Sequence, residues 1–210
     1  MTAAKGPPAT RRSLTVRGAA TRARIITAAA ELIYSHGVDR TSLDDVMAAS
    51  GASKSQLYHY FADKDALVLE VIAYQTQRVL AAQGTQLEAL DSLSALKAWR
   101  DAILQLNEAT GWMGCPLGSL ASELANDSRP ARLSLTNSFA TWRDRVEQGL
   151  VRMHERGELA SSADPHALAL ALLTAVQGGL LLSKTTQSNQ PLKIALDMAI
   201  NHVAKHTTVP

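Results

Sequence analysis

Apolar side chains recur three and four residues apart through most of the chain, and no stretch shows the period-two alternation of a half-buried strand. That pattern confines the fold to packed helices, so the predicted class is all-α. From about Ala19 to His36, the residues Ile25, Ile26, Ala29, Leu32 and Ile33 make one stripe. Gly37 stands just past its end, where a left-handed cap belongs. Thr41 or Ser42 opens a short helix, with Asp44 or Asp45 three residues on in a capping-box arrangement, and Leu43, Val46 and Met47 as its buried face. It stops at Ser50-Gly51. Ser53 with Gln56 forms a second capping box, opening a helix that buries Leu57, Tyr60 and Phe61. Asp63 then caps a longer helix carrying Leu67, Val68, Val71 and Ile72.

Beyond about residue 85 the helices lengthen. The spacing predicts one from Ser92 to Thr110, one from Leu117 to Asn126 with Pro116 at its first turn, and one from Arg129 to Arg156. Asp164-Pro165 opens the next, to about Thr186, and the last runs from Gln190 to Lys205. No apolar run approaches the ~18–20 residues of a membrane span, and the basic N-terminus has no apolar segment behind it. A cytoplasmic protein without membrane partners is expected. One cysteine, Cys115, leaves no intramolecular disulfide and no multi-cysteine metal site.

Charge is uneven. Residues 1–64 carry nine basic and five acidic side chains, while the remainder carries twelve and fourteen. The basic end is an electrostatic footprint for phosphates. Residues 1–18 read as a flexible basic arm, residues 19–65 as a helix-turn-helix unit, and residues 66–210 as a larger helical domain. Gly51 permits the positive φ that the turn between two short helices needs. The second helix would then expose its first residues while Leu57, Tyr60 and Phe61 hold it down.

The run Gly51-Ala52-Ser53-Lys54-Ser55-Gln56-Leu57-Tyr58-His59-Tyr60-Phe61, followed by Lys64 and Leu67, resembles the DNA-binding domain of the Tet repressor family. So does Gly37-Val38-Asp39-Arg40-Thr41-Ser42-Leu43-Asp44-Asp45-Val46 before it. The segment Gly114-Cys115-Pro116-Leu117-Gly118-Ser119-Leu120-Ala121 resembles a regulator subgroup related to the LmrA and YxaF repressors.

The resemblance implies a homodimeric repressor on a roughly palindromic DNA operator, released by a small-molecule effector, and needing no cofactor. An activator of the same fold fits the resemblance as well. Ser53 is expected to cap the recognition helix, and Lys54, Ser55 and Gln56 to face the major groove. Tyr58, His59, Lys64 and Thr41 or Ser42 are expected on phosphates, with Arg17, Arg22 and Arg24 as reinforcement. The last two helices, through a strip including Ala167, Leu168, Leu172, Val176 and Gly179, are expected to pair two copies. Trp99, Trp112, Met113, Cys115, Phe139 and Trp142 are candidates for the effector pocket.

Cys115 has two readings: an inert cysteine shaping a loop, or an electrophile-sensing thiol whose thiolate is favoured by the helix start. Paired carboxylates, a glycine-rich phosphate loop and a metal-ligand cluster are all missing from the sequence, so no catalytic or metal residues are assigned and an enzyme is disfavoured.

Overall fold

A computed structural model of the chain describes residues 15–208. Among these residues there are nine helices: α1 (Val16–His36), α2 (Leu43–Ser50), α3 (Lys54–Tyr60), α4 (Lys64–Glu88) and α5 (Leu93–Ala109), then α6 (Pro116–Leu124), α7 (Arg129–Glu155), α8 (Pro165–Thr186) and α9 (Gln190–Ala204). The described residues contain no strand, only an isolated bridge between Leu159 and Thr207. The all-α expectation holds, and the predicted helix ends agree within a few residues.

The proposed flexible arm needs correction at its end. Thr15 caps α1, accepting from Gly18 N, so residues 16–18 are helical. The rest of that arm, residues 1–14, lies outside the described residues.

The first three helices form a small layer around Ile25, Ala29, Val46, Leu57 and Phe61, all buried. α4 begins in this layer, packed on α1, and continues without interruption past residue 65 to lie against α5 and α7. The expected domain boundary at 65/66 therefore falls inside a helix. Farther along, Gly84 takes a non-helical conformation (φ 45, ψ −131), which kinks α4 near its end.

Pro116, Pro130, Pro165 and Pro191 stand in the first turns of α6, α7, α8 and α9, where a missing N–H breaks no helical bond. Gly149 in mid-α7 is needed for proximity: a Cβ there would lie 1.6 Å from the Leu90 carbonyl oxygen. The ~1 kcal/mol that glycine costs a helix interior is offset by that backbone crossing.

α8 packs one face between α7 and α9 through Leu168, Leu172, Val176 and Gly179. A Cβ on Gly179 would lie 2.7 Å from Leu192 Cα, so this glycine serves a contact within its own chain. The strip expected to meet a second copy is thus in good part internal. The apolar stripe left open is the opposite one: Leu170, Leu181 and Leu182 with Ala167, Ala171 and Gly178, continued on α9 by Ile194 and Met198. By length and apolarity α8 is also the one described helix that could cross a membrane. The sequence reading missed this because Gln177 and Gly178 interrupt the run. Its apolarity comes from the buried face against α7 and α9 together with the exposed apolar stripe opposite.

Candidate DNA interface and ligand cavity

Two capping boxes anchor the short helices. Ser42 Oγ accepts from Asp45 N at 3.1 Å while Asp45 Oδ2 accepts from Ser42 N at 2.9 Å. Ser53 Oγ accepts from Gln56 N at 3.2 Å while Gln56 Oε1 accepts from Ser53 N at 2.9 Å. Between them Gly51 is left-handed (φ 65, ψ 21) and turns the chain. Leu57 and Phe61 are fully buried beneath α3, so its other face must be presented outward.

Lys54, Ser55, Tyr58 and His59 are exposed on that outward face. Tyr58 is 48% exposed, high for so large a ring. Lys64, half-buried, begins α4, and Ser42 begins α2, so both sit at helix N-termini, which favour anions.

Three expected contacts are changed by the geometry. Thr41 is buried and its hydroxyl donates to Gly37 O at 2.8 Å, so it braces the end of α1 and faces no ligand. Gln56 is exposed, but its amide oxygen is held by the capping box, so a two-pronged pairing with adenine requires the box to open. Arg22 forms an ion pair with Glu70 and lies over the Phe61 ring at 5.7 Å, which leaves Arg17 and Arg24 as the exposed cations of α1.

The larger part of the molecule encloses a cavity of about 190 Å³ between α4, α5, the start of α6, α7 and α8. Its apolar wall includes Val79, Ile103, Leu106, Trp142 and Leu180. Of the aromatic and sulfur candidates, Trp142 and Cys115 line it. Trp99 stands behind the wall, fully buried, and its indole donates to Gln83 Oε1 at 2.8 Å; the Trp142 indole donates to the same oxygen at 3.1 Å. Phe139 lines an adjoining, more open cleft with His36, Glu123 and Gln177, which shares Tyr34, Gly114 and Cys115 with the cavity. Trp112 and Met113 lie in the α5–α6 loop and line neither, Trp112 having a positive φ of 55.

Polar residues of the cavity escaped the sequence reading: Tyr34, Gln75, Arg78, Gln83 and Asn107. Gln75 and Gln83 extend the buried stripe of α4 beyond Val71 and Ile72, and a polar residue on a buried stripe is the signal that would have found them. Gln83 is locked, because its Nε2 donates to Val79 O. Asn107 Nδ2 donates to Asn189 Oδ1, whose own Nδ2 donates to Leu104 O. The Tyr34 hydroxyl donates to Gly114 O at 2.8 Å. Burial, with the nearby Cys115 thiol, pushes the Tyr34 pKa up to about 12, against a smaller opposing effect of Arg78.

The Gly114–Pro116 segment earns its place in the sequence by shaping this wall. Gly114 has φ 80, and a Cβ there would crowd Lys184 and approach the Leu180 backbone. Cys115 caps α6 without a side-chain capping bond. It is buried, and burial pushes its thiol pKa up, against smaller opposing effects of Gly118, Gln177 and Leu117. Burial thus disfavours the thiolate, against the expectation that this helix start favours it. At the far end of α6, Glu123 Oε2 accepts from Val38 N at 2.6 Å, between α1 and α2.

Residues 25–71 match the family described as bacterial regulatory proteins of the tetR family, and residues 92–198 match the C-terminal domain of LmrA/YxaF-like transcriptional regulators. The HTH-type transcriptional regulator YxaF of Bacillus subtilis is 29% identical over 175 residues, covering 81% of this chain and 88% of that protein. A regulator in the lacX 3' region of Lactococcus lactis is 30% identical over 182 residues, covering 85% and 90%. In three dimensions the fold is that of a TetR-family regulator from Cytophaga hutchinsonii, with a TM-score of 0.79 at 19% identity over 94% of this chain and 100% of that one. The chain belongs to the TetR family of helix-turn-helix transcriptional regulators, with a C-terminal domain of the LmrA/YxaF type, and is not an enzyme.

Proposed function

We infer that the protein is a homodimeric repressor that holds a roughly palindromic operator with one α3 from each subunit and lets go when a small molecule fills the cavity. The observation that carries this reading is that α6 joins the two sites. Cys115 and Pro116 at its start form cavity wall, and Glu123 near its end holds the backbone just ahead of α2. Residues 19–65 read DNA and residues 66–210 bind effector and partner, with α4 shared between them.

Lys54 and Ser55 are assigned to base edges, with Gln56 joining them through its free Nε2. Ser42, Tyr58, His59 and Lys64 are assigned to phosphates, which set position but not sequence. The open stripe of α8 with Ile194 and Met198 is the face for a second copy, because large apolar patches on a folded chain mark association sites. A two-fold pair puts two recognition helices on successive major-groove faces, which makes the half-sites mirror each other. Such a regulator works in the cytoplasm, where its DNA is. An effector releases DNA only by binding one conformation more tightly than the other.

Selection of bound duplexes from a random pool tests this directly. A two-fold symmetric site, weakened steeply by salt, is the expected result; no preference among duplexes overturns the reading. Deleting the gene should raise transcription from the promoter bearing that site, and a fall would identify an activator.

A further inference from the structure

The lining of the cavity has a charge signature. It includes one cation, Arg78, and no aspartate or glutamate. Arg78 is exposed at the cavity edge, its guanidinium 5.6 Å above the Tyr74 ring, and it makes no ion pair among the described residues. Elsewhere in this part of the chain Arg100, Arg143 and Arg156 do have carboxylate partners.

Deeper in, Gln75 is only 4% exposed and lines the cavity, and Asn107, also on the lining, has a buried Oδ1 with no hydrogen-bond partner among the described residues. A buried amide oxygen without a partner is costly, and that of Asn107 belongs to a residue of the cavity wall. Around these groups the apolar wall is aliphatic and aromatic, with Tyr34, Gln83 and Thr110 as further polar lining. The volume, about 190 Å³, somewhat exceeds the roughly 150 Å³ apolar cavity that takes up benzene.

We propose that the cavity binds a small organic acid, with an apolar body of about one ring against Ile103, Leu180 and Trp142, its carboxylate on Arg78, and a polar group within reach of Gln75 and Asn107. This rests on the cavity being the effector site, and it names the chemistry of the effector. Guanidinium and carboxylate match in charge and in planar geometry. An acid-free lining spares the ligand any like-charge repulsion.

The test uses three probes of one shape: 3-phenylpropanoate, 3-phenylpropanamide and 3-phenylpropylamine. Binding is read by tryptophan fluorescence on the full chain without DNA, since Trp142 lines the cavity. The carboxylate should bind at least about tenfold tighter than the amide, and the amine least of the three. Arg78→Gln should erase the difference between carboxylate and amide while leaving amide affinity in place. Gln75→Leu, checked for folding by circular dichroism, should weaken the carboxylate. Equal affinity for amide and carboxylate, preference for the amine, a preference that survives Arg78→Gln, or no carboxylate binding at millimolar concentration overturns the proposal.

Release of the operator is measured separately. A carboxylate that binds with the expected preference but leaves DNA affinity unchanged keeps the ligand class and removes the effector role. Release by neutral compounds alone keeps the effector role and removes the class.

Discussion

Glu123 Oε2 accepts a hydrogen bond from Val38 N at 2.6 Å, tying α6 to the junction of α1 and α2 across 85 residues of chain. The same carboxylate sits 3.0 Å from where a Cβ on Gly37 would be, so glycine there leaves it room. Charge-assisted bonds of this kind are among the stronger polar contacts. Glu123→Leu should therefore uncouple the two ends: ligand affinity without DNA stays, while the ligand concentration that half-releases operator rises by about tenfold. Paired titrations of ligand binding and duplex release check this, and an unchanged release curve removes the coupling.

Under the proposed function, the cap of α3, its first residue and the start of α4 have separate tasks. Ser53→Ala removes a cap and should cost about 1 kcal/mol of stability, seen as a lower urea midpoint. Lys54→Ala should relax base preference in a repeated selection. Lys64→Ala should weaken all duplexes alike and lower the slope of log affinity against log salt by about 1.

Three glycines separate folding from assembly. Gly149→Ala drives a methyl into the Leu90 carbonyl and should destabilise by about 1–3 kcal/mol or more. Gly179→Ala meets Leu192 and should behave similarly. Gly178 has nothing of its own chain within 4 Å of an added Cβ. Gly178→Leu should therefore leave the fold intact and shift the sedimentation of the protein towards monomer.

Alkaline pH should expose the two buried acids of the cavity wall. Cys115 and Tyr34 both have raised pKa values when folded, Tyr34 to about 12. The unfolded chain gives up its thiol proton near ~8.5 and its phenol proton near ~10, so unfolding is favoured progressively as pH climbs. Their contribution is fully present below about pH 8.5 and is lost above it. Urea midpoints from pH 7 to 10.5 should fall accordingly, and Cys115→Ala should flatten the first part of that decline. The native thiol should also react slowly with a disulfide reagent at neutral pH, and electrophile treatment should release operator no better from wild type than from Cys115→Ser.

The helices and the turn were legible because periodicity, capping boxes and Gly51 are local signals. The recognition helix was legible in outline, but Gln56 shows where that reading stops: the residue that closes its capping box is the same one expected to read a base. Thr41 and Arg22 are engaged within the fold in ways the sequence does not display, because burial and a partner 48 residues away are tertiary facts. Only Trp142 and Cys115 of the aromatic and sulfur candidates reached the cavity, since large side chains mark core in general and do not say which part of it is hollow. Gln75 and Gln83 were the better clue, being amides on a buried stripe.

One amide oxygen, that of Gln83, holds both the Trp99 and Trp142 indoles. Three helices, α4, α5 and α7, are in this way fastened at a single atom behind the hollow. Neither ring can swing aside without giving up its bond to Gln83, so a molecule that presses on Trp142 acts on an atom that α5 shares.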